Sequence, residues 1–496
     1  MDRYLPDTLS QQREMLACIG VENLDGLFSD VPEGCRLGRG LKLPVALSEM
    51  DLQRYMKNMA LKNASMEDYV CFLGAGAYEH FIPATVGHVV SRQEFYTAYT
   101  PYQPEISQGT LQAIFEYQTM ICELTGMEVA NASMYDGATA MAEAAAMACR
   151  STRRKRILVA KTVNPEYRSI LSTYSRYNGN KVIEIDMSRE TGVCDIDKLN
   201  EIITSGSVEG SVVGAVFGKA FGTLAKEASE IAAIIIQSPN FFGIIEDIRQ
   251  AAEIAHKIGA LLIACVDPVS LALLKPPGEL RADIVIGEGQ ALGNPLSFGG
   301  PYLGFFATKR ERMRKMPGRV VGETTDLEGR RGFVLTLQTR EQHIRREKAT
   351  SNICSNQALN ALTAAVYMSL LGKEGMKEVA KLCLQKAHYT YEKLLETGKF
   401  EPLFNRQMPF FKEFALKSRT CEPKKINQRL LEHKIFGGYC VGRDFPEMAD
   451  GWLIAVTEKR TRQEIDLMVS IAGEVGETKE TVETKEIGEA GVTGDI

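Results

Sequence analysis

The 496-residue sequence lacks the patterns that mark several large classes of protein. Its eleven cysteines include no CxxC pair and form no cluster with the six histidines, so neither a zinc site nor a disulfide framework is indicated. No apolar run reaches the roughly 20 residues that a membrane-spanning helix needs. The N-terminus has no basic stretch followed by an apolar run, so no secretion signal is visible. Together these absences predict a cytoplasmic protein without a metal site.

An excess of positive charge is also absent. The net charge is −5 and the pI is near 5.9, which argues against a nucleic-acid-binding protein. Hydrophobic residues make up 45% of the chain and charged residues 24%, as in ordinary globular proteins. The length suffices for two or three domains with large cores.

The segment 157–308 alternates apolar runs with helical stretches. Runs that are apolar on both faces predict buried strands, and helices between them predict a mostly parallel sheet covered on each side. The fold class we expect is therefore α/β. The predicted strands are Ile157–Ala160, Val182–Ile185, Val212–Phe217, Ala232–Ile236, Leu261–Val266, Ile284–Ile286 and Leu303–Ala307.

A lysine is missing at one informative turn. Asp267 follows a predicted strand, and the turn 287–293 reads GEGQALG. In enzymes that use pyridoxal 5′-phosphate (PLP), a strand-end carboxylate holds the pyridine nitrogen, and a lysine in such a turn forms a Schiff base with the cofactor. Here the turn holds Gln290 and Ala291, and the segment 280–302 contains no lysine. The pattern predicts the architecture of a PLP enzyme without its covalent anchor.

The expected phosphate site is altered as well. A helix N-terminus with small residues would bind the phosphate, and the best candidate is 133–139, which leads into an alanine-rich helix. Gly137 and Ala138 suit close approach, but the carboxylate of Asp136 would repel a phosphate and compete for the same N–H groups. Asp136 is also a good N-cap, and that role alone explains it.

Two loops combine aromatic side chains with a backbone rich in glycine or proline. Segment 73–83 is glycine-rich, and segment 99–105 is stiffened by two prolines. Either loop could present side chains to a small ligand or a neighbour, and packed loop structure is the competing interpretation. The candidate residues are Tyr78, His80, Tyr99 and Tyr102.

The densest polar segment is 339–352. It carries several cations and ends in Thr-Ser-Asn, which predicts the N-cap of a long helix that starts near 351 and ends at Gly372. Hydroxyls, N–H groups and cations together suit a carboxylate or a phosphate, whereas a solvated linker is the competing interpretation. The candidate residues are Arg345, Arg346, Lys348, Thr350, Ser351 and Asn352.

Four regions follow from these patterns. We predict a helical arm over 1–60, a large degenerate PLP-transferase-like domain over 61–340 and a smaller α+β domain over 341–473. From 474 to 496 the chain has seven acidic residues, two lysines and almost no large apolar residue. Such a segment cannot bury a core, so we predict a disordered acidic tail.

Four motifs are long enough to carry a family resemblance. They are YTPYQPEISQG at 99–109, ANASMYDGATA at 130–140, QSPNFFG at 237–243 and LQTREQHIRREKATSNIC at 337–354. These motifs resemble the P-protein of the glycine cleavage system, specifically subunit 1 or the N-terminal half of a single-chain form. The resemblance extends to about residue 470.

The resemblance implies a fold-type-I PLP-transferase architecture in a copy that anchors no cofactor, because the family's second half has a His-Lys pair where this chain has Gln290 and Ala291. It implies a separate subunit 2 that holds PLP covalently, in a heterodimer or heterotetramer. That assembly would decarboxylate glycine and pass the aminomethyl group to the lipoyl arm of the H-protein. Substrate or interface roles are implied for Tyr99, Tyr102, Tyr78, His80, Arg345 and Arg346, and contacts to partner-bound PLP for Lys348, Thr350, Ser351 and Asn352.

Two alternatives stay open at this point. The first is a self-sufficient PLP enzyme that uses another lysine, with Lys275 and Lys309 nearest in sequence, although neither lies in the expected turn. The second is a non-catalytic regulatory or scaffolding protein on the same fold, since a fold does not determine a function.

Overall fold

The computed structural model describes residues 7–205, 230–351 and 353–475. The chain divides into two compact units, the arm unit Met1–Ser65 and the main unit Met66–Ile496. The arm unit contains the helices α1 (Leu9–Ile19) and α2 (Glu49–Ala60), and Thr8 caps α1 as its hydroxyl accepts from the backbone N–H of Gln11. No residue of these two described helices is buried. The predicted helical content of the arm is confirmed.

The main unit combines helices with strands that form two larger sheets and two strand pairs. Its helices are α3 (Ala84–Val90), α4 (Gln93–Tyr96), α5 (Gln108–Thr125), α6 (Gly137–Thr152), α7 (Pro165–Tyr177), α8 (Ile196–Ser205), α9 (Ile248–Lys257), α10 (Gln342–Arg345), α11 (Ala358–Glu396), α12 (Pro423–Glu432) and α13 (Arg462–Glu474). Its strands are β1 (Val70–Cys71), β2 (Val129–Ala130), β3 (Arg156–Ala160), β4 (Lys181–Ile185), β5 (Ile231–Ser238), β6 (Leu261–Val266), β7 (Ile284–Glu288), β8 (Gly304–Thr308), β9 (Val320–Thr325), β10 (Arg331–Thr336), β11 (Phe400–Pro402), β12 (Glu413–Ser418), β13 (Ile435–Phe436), β14 (Tyr439–Cys440) and β15 (Gly451–Ala455).

The central sheet has the described strand order β2-β8-β7-β6-β5-β3-β4. Strands β3 to β7 pair in parallel, and β8 and β2 add antiparallel pairs at one side. Every residue of β3, β6 and β8 is buried, as a sheet covered on both faces requires. The mostly parallel sheet and six of its predicted strands are confirmed; the predicted strand Val212–Phe217 lies outside the described residues.

The second sheet is antiparallel, in the order β11-β12-β15-β14. Its core contains the fully buried Trp452 and side chains of α11, α12 and α13. The segment leading into β12 crosses the loop after β5. The two are joined there by a hydrogen bond in which the N–H of Ile245 donates to the carbonyl of Pro409 at 2.9 Å. Gly243 permits this approach: its φ is +85°, and a Cβ there would lie 1.7 Å from the carbonyl oxygen of Glu413. The start of β12 is thereby brought to the carboxyl edge of the central sheet.

One predicted boundary of the long helix is wrong and the other is confirmed. Helix α11 begins at Ala358, not near 351, because the Ser351 hydroxyl is bonded to Glu143 of α6 and to the N–H of Ile353 rather than capping a helix. The predicted end at Gly372 is confirmed: its φ of +58° and ψ of −172° are non-helical and interrupt α11, and a second helical stretch follows as far as Glu396.

At the C-terminus, α13 includes Glu474, so the first residue of the predicted tail is helical, and 476–496 lies outside the described residues. Among the helices described, none is both long and apolar enough to cross a membrane.

Candidate active site

The carboxyl ends of β5, β6 and β7 border one narrow cavity in the main unit. Open α/β sheets bind ligands at this edge. The cavity holds about 50 Å³, far below the several hundred Å³ typical of cofactor sites. The residues that line it include Tyr78, Asn164, Tyr167, Cys265, Asp267, Glu288, Gln290, Ala291, Lys412 and Glu413.

Asp267 lies where the sequence predicts it, directly after β6, but its carboxylate is already paired. Its Oδ1 accepts from the N–H of Val269 at 2.9 Å, and its Oδ2 lies 2.6 Å from the ammonium of Lys412. The side chain of Lys412 is 2% exposed and that of Asp267 14%. A pair this dry is sensitive to the loss of either partner, since the remaining charge would be buried alone.

Tyr78 and His80 from the glycine-rich loop pack around this ion pair. The ammonium of Lys412 lies 3.1 Å from Nε2 of His80 and 3.7 Å from the centre of the Tyr78 ring. The hydroxyl of Tyr78 donates to Glu413 at 2.7 Å. Burial raises the pKa of Glu413 to about 7, against the N–H and O–H donors that favour its ionised form. Both aromatic residues are therefore engaged within the chain.

Gln290 and Ala291 occupy the turn after β7, as the sequence predicts. The Gln290 amide exchanges hydrogen bonds with the backbone of Tyr78 at 3.0 Å each and donates to the carbonyl of Asn294 at 2.8 Å. Gln290 thus ties the glycine-rich loop to the turn. Neither side chain carries an amine, so the turn provides no group for a Schiff base.

The N-terminus of α6 is occupied by the chain's own carboxylates. Asp136 caps the helix by accepting from the N–H of Thr139 at 2.8 Å, so the predicted capping role is confirmed. Glu288 at the end of β7 accepts from the N–H groups of Gly137, Gln290 and Leu303 at 2.9–3.0 Å. Burial, with a contribution from the charge of Asp136, raises the pKa of Glu288 to about 7 although these N–H groups lower it.

A wider cleft of about 730 Å³ lies beside the narrow cavity and shares Gly76, Asn164, Tyr167 and Glu288 with it. Its other walls include Tyr135, Tyr302 and Gln357. The chain before α11 is fixed close to this cleft by three hydrogen bonds to α6 and to the loop that precedes it. They join Ser351 to Glu143, Cys354 to Tyr135 and Gln357 to Ser133.

Tyr102 and Tyr99 lie apart from the cavity lining. The hydroxyl of Tyr102 accepts from Arg319 at 2.9 Å, and its ring contacts His343 at a centroid distance of 5.6 Å. Arg319 is buried and lies 3.7 Å from Glu341. Tyr99 is 81% exposed. The structure therefore gives Tyr102 a defined polar neighbourhood and leaves Tyr99 on the surface.

The predicted anion-binding residues are only partly arranged as expected. Arg345, Arg346 and Lys348 are exposed, and among the described residues no carboxylate lies within salt-bridge distance of them. Thr350 is half-buried and its N–H donates to the carbonyl of Arg340. Asn352 lies outside the described residues. The predicted helix cap that was to complete this group is absent, since α11 begins six residues later.

One cluster has the donor atoms of a metal site. Nitrogen, sulfur and oxygen atoms of His80, Cys383 and Glu458 lie within 4.8 Å of one another. Nδ1 of His80 and Sγ of Cys383 already lie 2.7 Å and 3.3 Å from Oε2 of Glu458. Burial raises the pKa of Glu458, but the bonds from His80 and Phe81 outweigh it and hold the value at about 2. Hydrogen bonding within the chain accounts for this cluster.

The lysines named by the self-sufficient alternative do not reach the cavity. Lys275 forms an exposed pair with Glu279, and Lys309 lies 3.8 Å from Asp283. The residues that sequence reasoning missed are Lys412, Glu413, Glu458 and Glu288. Glu288 could have been found, because it stands in the same turn as Gln290.

Comparisons with known proteins agree with this geometry. A probable glycine dehydrogenase (decarboxylating) subunit 1 of Carboxydothermus hydrogenoformans is 52% identical over 471 residues, which cover 95% of this chain and 99% of the relative. The crystal structure of an inhibitor-bound glycine decarboxylase (P-protein) of the glycine cleavage system superimposes with a TM-score of 0.83 at 41% identity, covering 96% of this chain and all of that one. A sphingosine-1-phosphate lyase of Burkholderia pseudomallei, 14% identical over 90% of this chain and 94% of its own with a TM-score of 0.61, shares the fold alone.

The architecture is that of the fold-type-I PLP-dependent enzymes, as the resemblance predicts. Within that class the family model of the glycine cleavage system P-protein matches residues 2–472. The chain belongs to this family.

The fold implies PLP, but the residues at the expected place do not fit it. Asp267 is paired with Lys412, where the pyridine nitrogen would lie. The N-terminus of α6 faces two carboxylates, where a phosphate would lie. The cavity holds about 50 Å³ and the turn has no amine. This chain, in its described residues, has no site suited to PLP at that position.

Proposed function

We propose that this chain is subunit 1 of a heteromeric glycine dehydrogenase (decarboxylating) of the glycine cleavage system. With a subunit 2 that holds PLP covalently, it would decarboxylate glycine and pass the aminomethyl group to the lipoyl arm of the H-protein. The observation that carries the proposal is the 52% identity, over 95% of the chain, to a relative that bears the subunit 1 name. No feature of the described residues favours the scaffold alternative.

The internal contacts at this chain's own cofactor position support the need for a partner. Glycine decarboxylation on this fold requires an electron sink that a protein side chain does not supply. Because Asp267 and the N-terminus of α6 are both occupied internally, we propose that the other subunit binds the cofactor. Localisation in the cytoplasm stays a prediction.

The contribution of this chain would come from its exposed surfaces. Tyr102, fixed by Arg319, and the exposed Tyr99 are the residues we propose for the substrate or lipoyl end. Arg345 and Arg346, with Lys348 and the stretch 350–352, are proposed to face the partner-bound cofactor. We leave Tyr78 and His80 out of this group, because they pack around the buried Lys412, whereas Tyr102 is 44% exposed.

A mixing experiment tests the proposal. The purified chain is first given PLP and treated with borohydride, and then tested for glycine–bicarbonate carbon exchange in the presence of H-protein. The same assays follow after addition of a lysine-bearing subunit 2. We expect no trapped cofactor on this chain and no exchange by it, and exchange only in the mixture.

Two results would overturn the proposal. Exchange by this chain alone would show that it is self-sufficient. A stable complex with subunit 2 that shows no exchange, under conditions where a known P-protein is active, would favour the scaffold alternative.

A further inference from the structure

Lys412 stands out among the lysines because it is buried with every donor used. An ammonium group has three N–H bonds. Here one points to Oδ2 of Asp267 at 2.6 Å, one to Nε2 of His80 at 3.1 Å, and the third faces the Tyr78 ring at 3.7 Å. A carboxylate, an imidazole nitrogen and an aromatic face are the three kinds of group that stabilise a dry cation.

The imidazole of His80 is oriented to accept a hydrogen bond from the ammonium group of Lys412. Because an ammonium can only donate, Nε2 of His80 has to present its lone pair to Lys412. The proton is then on Nδ1, which donates to Glu458 at 2.7 Å. Glu458 also accepts from the N–H of Phe81 at 2.7 Å, so the tautomer is fixed by a carboxylate that is itself held in place.

We infer that Lys412 is a built-in cation that takes, on Asp267, the position of a cofactor's pyridinium and so closes this chain's own cofactor cavity. An aspartate at this strand end needs a cation, because its carboxylate is largely removed from water. The side chain of Lys412 reaches it from the segment that Gly243 allows to cross the edge of the sheet. The assignment concerns this chain's own cavity and holds whether or not the proposed partner exists.

Glu288, which borders both the narrow cavity and the wider cleft, occupies the N-terminus of α6 according to the same rule. A helix N-terminus favours an anion, and here the carboxylate of Glu288 accepts from the N–H of Gly137 while Asp136 caps Thr139. Asp267 thus has an internal cation, and the N-terminus of α6 has two of the chain's own carboxyl groups, Glu288 and Asp136. Internal groups at both positions support closure of the narrow cavity rather than a cavity that merely lacks a lysine.

A double-mutant cycle on the full-length chain tests the role of Lys412. Lys412→Met and Asp267→Asn each remove one partner, and we expect each to lower Tm by about 5 °C. The double variant should lose clearly less than the sum of the two, because neither charge is then left alone. Lys393→Met is the matched control: Lys393 forms an exposed pair with Glu396, and its loss should shift Tm by less than about 1 °C.

The cycle is decisive even if one variant does not fold. Recovery of folding in the double variant would support the inference. Additive losses, or a double variant that fails while Asp267→Asn folds, would overturn it.

A PLP titration of the same variants tests closure directly. Absorbance changes and borohydride trapping are compared for the wild type and Asp267→Asn. We expect the two titrations to coincide, because the Asp267 carboxylate is paired with Lys412 in the wild type and is absent from the variant. Neither protein therefore offers it to the cofactor. Saturable binding that is lost in Asp267→Asn, or PLP trapped on Lys412, would show that the cavity is open and would refute the inference.

Discussion

The narrow cavity at the sheet edge and the exposed segment 342–348 are both rich in charge, yet they use it in opposite ways. In the cavity, Asp267, Lys412 and Glu288 all have partners from the same chain. In the exposed segment, Arg345 and Arg346 have no carboxylate partner among the described residues, and Arg345 donates only to the carbonyl of Thr339. Buried charges must be paired to be tolerated, whereas exposed ones cost little. Polar residues inside this chain therefore serve its own stability, and those outside are the ones free to serve a complex.

The largest expected effect comes from a substitution that disrupts the packing around the cavity. Gly243→Ala would place a Cβ 1.7 Å from the Glu413 carbonyl oxygen, so the segment carrying Lys412 would have to move. We expect a loss of about 4 kcal/mol or more in the free energy of unfolding, measured by urea denaturation. The matched control is Gly398→Ala, which has a similar φ of +70° but no atom within 4 Å, and should cost about 1 kcal/mol. Equal losses would mean that close approach is unimportant.

The second prediction concerns pH and Glu288. Its pKa is raised from 4.5 to about 7 in the folded chain. A raised carboxyl pKa contributes stability that is complete below about pH 4.5 and is lost as the pH rises through about 7. Glu288→Gln does not titrate, so its stability relative to the wild type should improve by on the order of 2 kcal/mol from pH 5 to pH 8. Glu413 titrates in both proteins, so its contribution cancels in the difference between their stabilities. Parallel curves of unfolding free energy against pH for the two proteins would contradict the prediction.

A smaller effect is expected at Tyr78. Tyr78→Phe keeps the ring over Lys412 but removes the hydroxyl that donates to Glu413. Leaving that buried carboxyl short of a donor should cost about 1–2 kcal/mol in chemical denaturation. Tyr99→Phe removes the same atom at an exposed position and should change stability by less than about 0.5 kcal/mol. Similar losses at both positions would remove the distinction between cavity and surface.

The smallest effect on stability should come from the exposed segment. Replacing Arg345, Arg346 and Lys348 together by alanine should leave Tm nearly unchanged, because none is paired with an acid in the described chain. Calorimetric titration with subunit 2 should nevertheless show weaker binding. The mixture should also show lower glycine–bicarbonate exchange activity. The control is the triple alanine variant of Lys377, Lys393 and Arg429 on α11 and α12, of which the two lysines are half-buried and the arginine is exposed, each in an ion pair with a nearby glutamate. Equal binding by both triple variants would exclude the proposed interface role.

Much of the fold could be predicted because burial on both faces leaves a direct mark in the sequence. Continuous apolar runs such as Leu261–Val266 coincide with strands. Helix ends were harder, since capping depends on where a side chain finds its partner. Ser351 looks like a cap in sequence but bonds to Glu143, which lies far away along the chain. Gly372 was easier to predict, because a glycine that ends a helix adopts its left-handed φ locally, here +58°.

The residues of the candidate site also differ in how far local sequence predicts them. Asp267, Gln290 and Ala291 were accessible to sequence reasoning because their meaning is local to a strand end and a turn. Lys412 was not, because its partners Asp267 and His80 come from distant parts of the chain. The one local signal was a pair of opposite charges, Lys412 and Glu413, at the start of a buried strand.

Because Asp267 and the N-terminus of α6 are both occupied internally, a lysine in the turn would not by itself create a PLP site. A lysine placed at 290 or 291 would still meet Lys412 on Asp267 and a carboxyl group at the start of α6. Removing Lys412 first would strand Asp267, and removing Glu288 first would leave three N–H groups without their acceptor. Each single substitution toward a cofactor site in this chain therefore passes through a less stable protein. The folding stability of this chain thus disfavours any single change that would let it bind the cofactor itself.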